Sequence, residues 1–304
     1  MTGSMSSPRR VRKAVLPVAG FGTRVLPATK AIPKELLPVF DRPAIQYVVD
    51  EALDAGIEHI VFVTGRGKGA IEDYFDRAFE LEAALQAKNK TDLLDALGKT
   101  LRPPGAMSFV RQQGALGLGH AVWCARDIVG DEPFAVLLPD MLMMGSPPCL
   151  SQMMAAYGAV GGNLVAVEPT DAPSGYGVID PVSREGRLLR MKGMVEKPKP
   201  GTEPSNLFIS GRYILQPEIF QLLENQPRGA GGEIQLTDSM ARLMETQTFH
   251  AFEFEGRSYD CGDKIGYLEA VAAFALVNAA QHGEARAMLE RTLADPALRD
   301  IVGK

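Results

Sequence analysis

The sequence predicts an α/β fold in which a mostly parallel central sheet is flanked by helices. Short apolar segments alternate with amphipathic helical segments through the first half of the 304-residue chain, which is the pattern of βαβ units. Glycine and charged residues cluster directly after the apolar segments. The composition, 46% hydrophobic and 23% charged, is that of an ordinary globular protein with a sizeable core.

The first half supplies the alternation. Strands are predicted at residues 13–18, 59–64, 108–111 and 134–138. Helices are predicted at residues 44–55, 70–79 and 119–129. Strands joined by crossover helices run parallel, so helices cover both faces of the sheet. Ligands of such sheets bind at the carboxyl ends of the strands, and we expect the chemistry in the loops there.

The second half has a different pattern. Residues 78–104, between the second and third strands, predict a helical insertion packed on the sheet. Further strands are predicted at residues 164–168, 177–180, 191–196, 208–215 and 250–255, and helices at residues 217–223, 234–245 and 265–280. We expect a flexible tail at residues 1–10, one domain over residues 11–282, and a C-terminal helical tail over residues 283–304.

Charge and cysteine content exclude several classes of protein. The chain has 32 basic and 37 acidic residues, a net charge of −5, so it lacks the positive field of a dedicated nucleic-acid binder. Its three cysteines form no CxxC motif, which disfavours structural zinc and a disulfide framework and indicates a cytoplasmic location. The longest apolar runs are shorter than the roughly 18 residues of a membrane span, so no membrane partner is expected.

The loop after the first strand is the sharpest local feature. It reads LPVAGFGTR over residues 16–24, where Gly20 and Gly22 allow backbone N–H groups to form a concavity that binds anions. Arg24, Lys30 and Lys34 add positive charge. Together they predict a phosphate site, although a tight turn with solvated basic residues would have the same local sequence.

Two familiar phosphate-binding motifs are excluded. Val25 stands where a dinucleotide-binding fingerprint requires glycine. This disfavours the alternative that the chain is a dinucleotide-dependent oxidoreductase. The segment Gly67-Lys68-Gly69 lacks the hydroxyl residue that follows the lysine of a Walker A loop.

Several ordered motifs together resemble the sugar-1-phosphate nucleotidyltransferases. They are LPVAGFGTRVLPATKAIPKELLPV at 16–39, the segment 111–121, LPD at 138–140, VEKP at 195–198, GEIQLTD at 232–238 and DCGDK at 260–264. The resemblance spans residues 13 to about 268 and implies a Rossmann-like mixed fold. The motif sequences are most similar to those of the uridylyl enzymes. The resemblance therefore implies a Mg²⁺-dependent reaction in which UTP and glucose 1-phosphate give UDP-glucose and pyrophosphate.

The resemblance assigns nucleotide contacts to the first and third loops. Arg24 and Lys34 match the residues that contact the triphosphate and stabilise the leaving pyrophosphate; a solvated side chain is as good an interpretation for Lys30. The remaining nucleotide contacts implied are Ala19, Gly20, Gly22, Thr23, Glu35, Gln112 and Gly117. A glutamine amide offers a donor and an acceptor to the uracil edge, and the adjacent Gln113 remains an alternative to Gln112.

The resemblance also assigns a metal site and a sugar site. Asp140 and Asp263 are the implied Mg²⁺ ligands, with Asp260 as the competitor of Asp263. The implied sugar contacts are Tyr176, Gly177, Glu196 and Gly211, and Lys197 would hold the sugar phosphate.

Alternative functions differ in substrate or in class. The same chemistry with another nucleotide or sugar, such as dTTP, is one, and a non-catalytic sugar-nucleotide sensor is another. A sensor is expected to lack phosphate or metal ligands, which this sequence retains. The very apolar helix at residues 265–280 predicts an interface in a homodimer or homotetramer.

Overall fold

The computed structural model describes residues 8–278 and 282–297 as a nine-stranded sheet with helices on both faces. The strands are β1 Lys13–Pro17, β2 Pro38–Val39, β3 Arg42–Pro43, β4 His59–Thr64, β5 Met107–Arg111, β6 Phe134–Leu137, β7 Met141–Met144, β8 Asn163–Pro169, β9 Gly177–Glu185, β10 Leu188–Glu196, β11 Leu207–Leu215, β12 Phe249–Glu253 and β13 Arg257–Asp260. The helices are α1 Ala44–Asp54, α2 Gly69–Tyr74, α3 Phe79–Ala87, α4 Thr91–Gly98, α5 Leu118–Cys124, α6 Arg126–Val129, α7 Cys149–Val160, α8 Ile219–Glu224, α9 Leu236–Leu243, α10 Lys264–Val277 and α11 His282–Ala294.

The sheet is mixed, with strand order β5-β4-β1-β6-β11-β8-β12-β10-β9. The pairs β5–β4, β4–β1, β1–β6 and β8–β12 are parallel, and the other four neighbouring pairs are antiparallel. The α/β class is confirmed, but the prediction of a mostly parallel sheet is wrong, because four of the eight neighbouring pairs are antiparallel. The second half contains the hairpin β9–β10, and a hairpin connection makes its strands antiparallel.

A small ladder that the sequence pattern did not reveal lies beside the main sheet. Met141–Met144 (β7) pairs antiparallel with Arg257–Asp260 (β13), so that Asp260 lies opposite Met141. Four-residue strands without clear alternation give little periodic signal, and the partners are more than 100 positions apart in the chain. This pairing brings the segment after β13 to the end of β6.

Within the described residues, the predicted insertion and the predicted C-terminal tail both contain helices. Residues 78–104 form α3 and α4, neither of which has a buried residue. The single helix predicted at residues 119–129 is divided into α5 and α6. The predicted boundary at residues 282–283 falls in the first turn of α11, and residues 1–7, 279–281 and 298–304 lie outside the described part. No helix of the described residues is both long and apolar enough to cross a membrane.

Each face of the sheet has its own apolar core. Side chains alternate along β1, where Ala14 and Leu16 pack into one core and Val15 into the other. Helices α1, α7 and α10 cover the first face, and α5, α8 and α9 cover the second. Strands β1, β4 and β6 are therefore buried on both sides, and their carboxyl ends lie at one edge.

A buried ion pair links α1 to the centre of the sheet. Arg212 of β11 is fully buried, and its guanidinium lies 2.8 Å from the carboxylate of Glu51. The same guanidinium donates to the carbonyl oxygens of Leu138 and Met141, at 3.1 and 2.8 Å. Arg212 thereby holds both ends of the turn that carries Asp140.

Glu51→Ala is expected to lower the free energy of unfolding by about 3–5 kcal/mol, because it leaves the buried Arg212 charge uncompensated. Urea denaturation followed by circular dichroism measures the change. Glu290→Ala, which removes an exposed pair with Arg286, is the control and should not shift the urea midpoint. A Glu51→Ala change below about 1 kcal/mol would contradict the importance of this pair.

Candidate active site

The loops that follow the parallel strands meet at one edge of the sheet. Val18 donates its backbone N–H to the carbonyl of Val63 at 2.9 Å, and Gln112 donates to Thr64 at 2.8 Å. A Cβ placed on Gly65 would lie 3.2 Å from the carbonyl oxygen of Ala19, so these backbones run close together. The loops after β1, β4 and β5 therefore form adjacent walls, as the strand order predicts.

Three of the predicted residues form a charged cluster at this edge. The ammonium nitrogen of Lys34 lies 2.5 Å from Oδ2 of Asp140, and Arg24 approaches the same oxygen at 3.7 Å. Arg24 also donates to Asp260 at 3.1 Å. The sequence separation between Lys34 and Asp140 is 106 residues, so the fold, rather than local sequence, creates the pair.

Burial and charge act in opposite directions on the pair. Burial alone would raise the pKa of Asp140, but Lys34 and Arg24 outweigh it, and the pKa is lowered. Burial alone would lower the pKa of Lys34, but the charges of Asp140 and Glu35 outweigh it, and the pKa is raised. Asp140 is therefore ionised and Lys34 protonated at neutral pH. The cluster presents fixed charges of both signs.

Asp260, the last residue of β13, and Asp263, in the turn that follows it, approach the cluster. Oδ1 of Asp263 accepts the backbone N–H groups of Ile265 and Gly266, at 2.9 and 3.0 Å, and so caps α10. Asp260 is the carboxylate that pairs with Arg24. Between them, Gly262 lies so close to the Arg24 guanidinium that a Cβ there would clash. Both candidate carboxylates lie at the site, and the alternative between them stays open.

The two glycines of the first loop have different environments. Gly22 has a φ of +66°, and a Cβ on it would come within 3.3 Å of the side chains of Lys34 and Thr29. A Cβ placed on Gly20 would have no heavy atom of the described residues within 4 Å, so the backbone of Gly20 borders open space. Thr23 and Arg24 are exposed beside it. This geometry suits a loop that receives a ligand at Gly20 and packs against Lys34 at Gly22.

Glu35 does not lie where a nucleotide contact requires it. Its side chain is 1% exposed, and its carboxylate forms an ion pair with the Lys68 ammonium at 2.7 Å. Burial raises the pKa of Glu35 despite the opposing charges of Lys68 and Lys34. Glu35 thus supports the lysine loop from inside the protein, which corrects its assignment as a nucleotide contact. The glycines on either side of Lys68 were the available signal for a turn that brings it close.

The loop after β5 carries the predicted base-contacting residues. Gln112 is buried and Gln113 is exposed. Nε2 of Gln112 lies 3.1 Å from the carbonyl oxygen of Gly117 and 3.0 Å from Nδ1 of His120, a residue to which the sequence interpretation gave no role. Gly117 has a φ of +107°, and a Cβ there would lie 2.8 Å from the carbonyl oxygen of Ile234. Both backbone conformation and packing therefore require glycine at this position.

The predicted sugar residues form a second cluster. Glu196 ends β10 opposite Gly177 of β9, where a Cβ would lie 3.1 Å from the Glu196 carboxylate. Thr237 donates to that carboxylate at 2.6 Å, a contact that sequence reasoning did not identify. Lys197 has an unusual φ of +46°, donates its backbone N–H to Tyr176, and keeps a half-exposed side chain. These residues leave a carboxylate and an ammonium on one surface.

Packing inside the protein explains why position 211 is a glycine. It is buried at a break in the β11 register with a φ of +86°, and a Cβ there would lie 3.1 Å from side-chain atoms of both Leu138 and Met141. The turn that carries Asp140 therefore accounts for glycine at position 211, and the role of Gly211 as a sugar contact stays a prediction.

Two tyrosines connect the sugar cluster to the charged cluster. Burial raises the pKa of Tyr213, and the charges of Glu196 and Asp140 raise it further. Burial also raises the pKa of Tyr176, with additional effects from Asp260 and Asp263. Tyr213 therefore senses one carboxylate from each cluster, and Tyr176 of the sugar cluster senses the two carboxylates that approach the charged cluster. We expect the two clusters to face a common ligand.

The carboxylates at the site suit a hard divalent cation that shares its coordination with phosphate oxygens. In the described ranges, no three His, Cys, Asp or Glu side chains converge as a self-sufficient metal site. Magnesium commonly binds through one or two carboxylates and completes its coordination with phosphate and water. Asp140 uses Oδ2 for Lys34, and Asp263 uses Oδ1 for the α10 cap, which leaves one oxygen of each carboxylate outside these contacts. The donor set fits such a cation.

Comparisons with known proteins match nearly the whole chain. The nucleotidyl transferase family profile matches residues 13–275. The UTP–glucose-1-phosphate uridylyltransferase of Bacillus subtilis is 50% identical over 270 residues, which are 88% of this chain and 92% of the relative. A UTP-bound UGPase from Acinetobacter baumannii is similar in structure, with a TM-score of 0.86, 47% identity, and coverage of 92% and 99%. A UDP-glucose pyrophosphorylase complexed with UDP-glucose has a TM-score of 0.78, 41% identity, and coverage of 87% and 98%.

Proposed function

Because the chain belongs to the nucleotidyl transferase family, we propose that it joins UTP and glucose 1-phosphate into UDP-glucose and releases pyrophosphate. The observation that carries this proposal is the agreement between high identity to uridylyltransferases and an intact charged cluster. Arg24, Lys34 and Asp140 lie together at the edge of the sheet where ligands bind. A sensor without catalytic function would have no need for this retained cluster, and the fold alone would not distinguish the two functions.

The chemistry is a single displacement at phosphorus. A phosphate oxygen of glucose 1-phosphate forms a bond to the α-phosphorus of UTP. The bond from that phosphorus to the bridging oxygen breaks, and its electron pair leaves on pyrophosphate. Positioning and electrostatic stabilisation supply the catalysis, because the reaction needs no nucleophile from the protein.

Each cluster has a part in this displacement. Arg24 and Lys34 stabilise negative charge that develops on pyrophosphate. Lys197 holds the sugar phosphate in line for attack, while Glu196, held by Thr237, accepts hydrogen bonds from glucose hydroxyls. The backbone of Ala19 and Gly20 and the side chain of Gln112 bind the nucleoside. These roles extend the family resemblance to this chain, and the contacts of Arg24 and Lys34 with Asp140 support them.

We further propose that a divalent cation, Mg²⁺, binds through Asp140 together with Asp263 or Asp260. It would neutralise phosphate charge and orient the triphosphate when bound. The protein contributes fixed carboxylates, since Asp140 is ionised and Asp263 is held by the α10 cap.

The domain and assembly proposals follow from the fold. Residues 11–282 would form the catalytic domain and residues 283–304 a C-terminal tail. Ile265 and Leu268 of α10 are 74% and 64% exposed, which supports an interface in a homodimer or homotetramer. A cytoplasmic location agrees with the three free cysteines.

Lys197→Met is expected to raise the KM for glucose 1-phosphate by about 10–100-fold, because a charged hydrogen bond to the sugar phosphate is lost. Steady-state kinetics with varied sugar phosphate measure the effect. Lys192→Met, an exposed lysine on β10 just before Lys197, is the matched control and should leave the KM unchanged. An unchanged KM in Lys197→Met would remove Lys197 from the sugar-phosphate site.

The proposed activity is tested by incubating the purified chain with UTP, glucose 1-phosphate and Mg²⁺. We expect equal amounts of UDP-glucose and pyrophosphate, which chromatography and a coupled pyrophosphate assay measure separately. Omission of either substrate, or chelation of the metal with EDTA, should stop both. Pyrophosphate without UDP-glucose would indicate hydrolysis and contradict the proposed transfer.

A further inference from the structure

A hydrogen-bonded pair fixes the side chain of Gln112. Its Nε2 lies 3.1 Å from the carbonyl oxygen of Gly117 and 3.0 Å from Nδ1 of His120. Gln112 itself is 8% exposed, and its backbone N–H donates to Thr64 of the neighbouring strand. The side chain is therefore confined at the base of the loop after β5.

These contacts determine the orientation of the amide. The carbonyl oxygen of Gly117 is only an acceptor, so the amide atom facing it must be the NH₂ group. That NH₂ group also faces Nδ1 of His120, which must then accept and carry no proton. Burial lowers the pKa of His120, which favours the neutral ring at neutral pH. Both N–H bonds of the amide are directed at the protein, which leaves Oε1 as the group available to a ligand.

We infer that His120 is a positioning residue for base selection, which holds the Gln112 amide so that it presents an acceptor, and not a donor, to the pyrimidine edge. This inference rests on the proposed function and deepens it. Uracil carries a donor at N3–H, which an amide oxygen accepts. Cytosine carries an unprotonated N3 at the same place, and two acceptors would face each other. The fixed amide therefore favours UTP over CTP.

Thymine gives an internal control. It has the same N3–H donor as uracil, so the orientation of this amide cannot distinguish dTTP from UTP. A change that only loosens the loop would lower kcat/KM for UTP, CTP and dTTP by the same factor. A change that frees the amide would specifically reduce the preference for UTP over CTP.

The neighbours of His120 permit matched variants. Sγ of Cys124 lies 3.8 Å from the same Nδ1 atom, on the next turn of α5. Cys124→Ala therefore perturbs His120 without removing the acceptor. His120→Asn places an amide oxygen close to the position of Nδ1, and His120→Phe keeps an aromatic ring beside Trp123 without any acceptor.

The test is the ratio of kcat/KM for UTP to that for CTP, with glucose 1-phosphate as the second substrate. In His120→Phe we expect this ratio to fall by at least about fivefold, the effect of losing one hydrogen bond. The UTP to dTTP ratio should stay constant. His120→Asn and Cys124→Ala should retain both ratios of the unmodified protein.

The outcomes separate this inference from the proposed function. An unmodified protein that transfers uridylyl groups, with a UTP to CTP ratio that His120→Phe does not change, would overturn the role of His120. Equal losses for UTP, CTP and dTTP in His120→Phe would also overturn it, because they indicate a general structural effect. An unmodified protein without preference for UTP would instead contradict the proposed function.

Discussion

Asp140→Asn is expected to lower kcat by about 10²–10³-fold while the protein stays folded. Asparagine is nearly the same size as aspartate but lacks the charge that pairs with Lys34 at 2.5 Å. The substitution removes the carboxylate that we propose as a ligand of the divalent cation. It also removes the ion-pair partner of Lys34 and one of the two carboxylates that pair with Arg24. Saturating steady-state kinetics measure kcat, and circular dichroism measures the fold.

Asp131→Asn is the control for Asp140→Asn. Asp131 lies shortly before β6 and its side chain is 91% exposed, so its loss of charge should leave kcat unchanged. A kcat of Asp140→Asn within about threefold of the unmodified protein would contradict the role of Asp140 in the reaction, because losing one stabilising group of this kind costs about 10²–10³-fold.

Lys34→Met is expected to lower kcat/KM for UTP by about 10²–10³-fold, since it removes a half-buried cation that we propose to face the leaving pyrophosphate. Methionine keeps most of the length and the apolar stem of lysine. The kinetics of pyrophosphate release with varied UTP measure the effect. Stability should change less than activity, because Arg24 still lies 3.7 Å from Asp140.

Lys30→Met provides the matched comparison for Lys34→Met. Lys30 belongs to the same loop, but its side chain is exposed, whereas that of Lys34 is 16% exposed. We expect near-normal kinetics for Lys30→Met, which would settle whether that lysine is solvated or binds phosphate. Similar losses in both variants would indicate a general effect of loop charge and contradict a specific role of Lys34.

Local patterns were sufficient to predict the parallel strands in the first half of the fold, but not the helix at 70–79, which ends at Tyr74. Strands β1, β4 and β6 were predicted within one residue, because buried parallel strands are continuous apolar runs that end at glycine or charged residues. The same rule located Arg24 and Asp140 at one edge of the sheet. Their approach in the structure follows from the strand order, in which β1 lies beside β6.

Pairings between distant segments were not predictable from one sequence. The β7–β13 ladder, which brings Asp260 to Asp140, depends on tertiary contacts and has no periodic signature. The buried pairs Glu51–Arg212 and Glu35–Lys68 were also missed, although a lone arginine within the apolar segment of β11 was a signal for a buried partner. The glycines show the same limit, since Gly211 and Gly117 pack against protein backbone or side chains, which sequence alone does not distinguish from close approach of a ligand.

The most direct test of the central claim is pyrophosphate release measured across a matrix of nucleotides and sugar phosphates with Mg²⁺. The matrix combines UTP, dTTP, CTP, ATP and GTP with the 1-phosphates of glucose, galactose, mannose and N-acetylglucosamine. We predict that UTP with glucose 1-phosphate gives the dominant rate. A dominant rate in another combination would contradict the assigned substrates, and no release in any combination would contradict catalysis of nucleotidyl transfer itself.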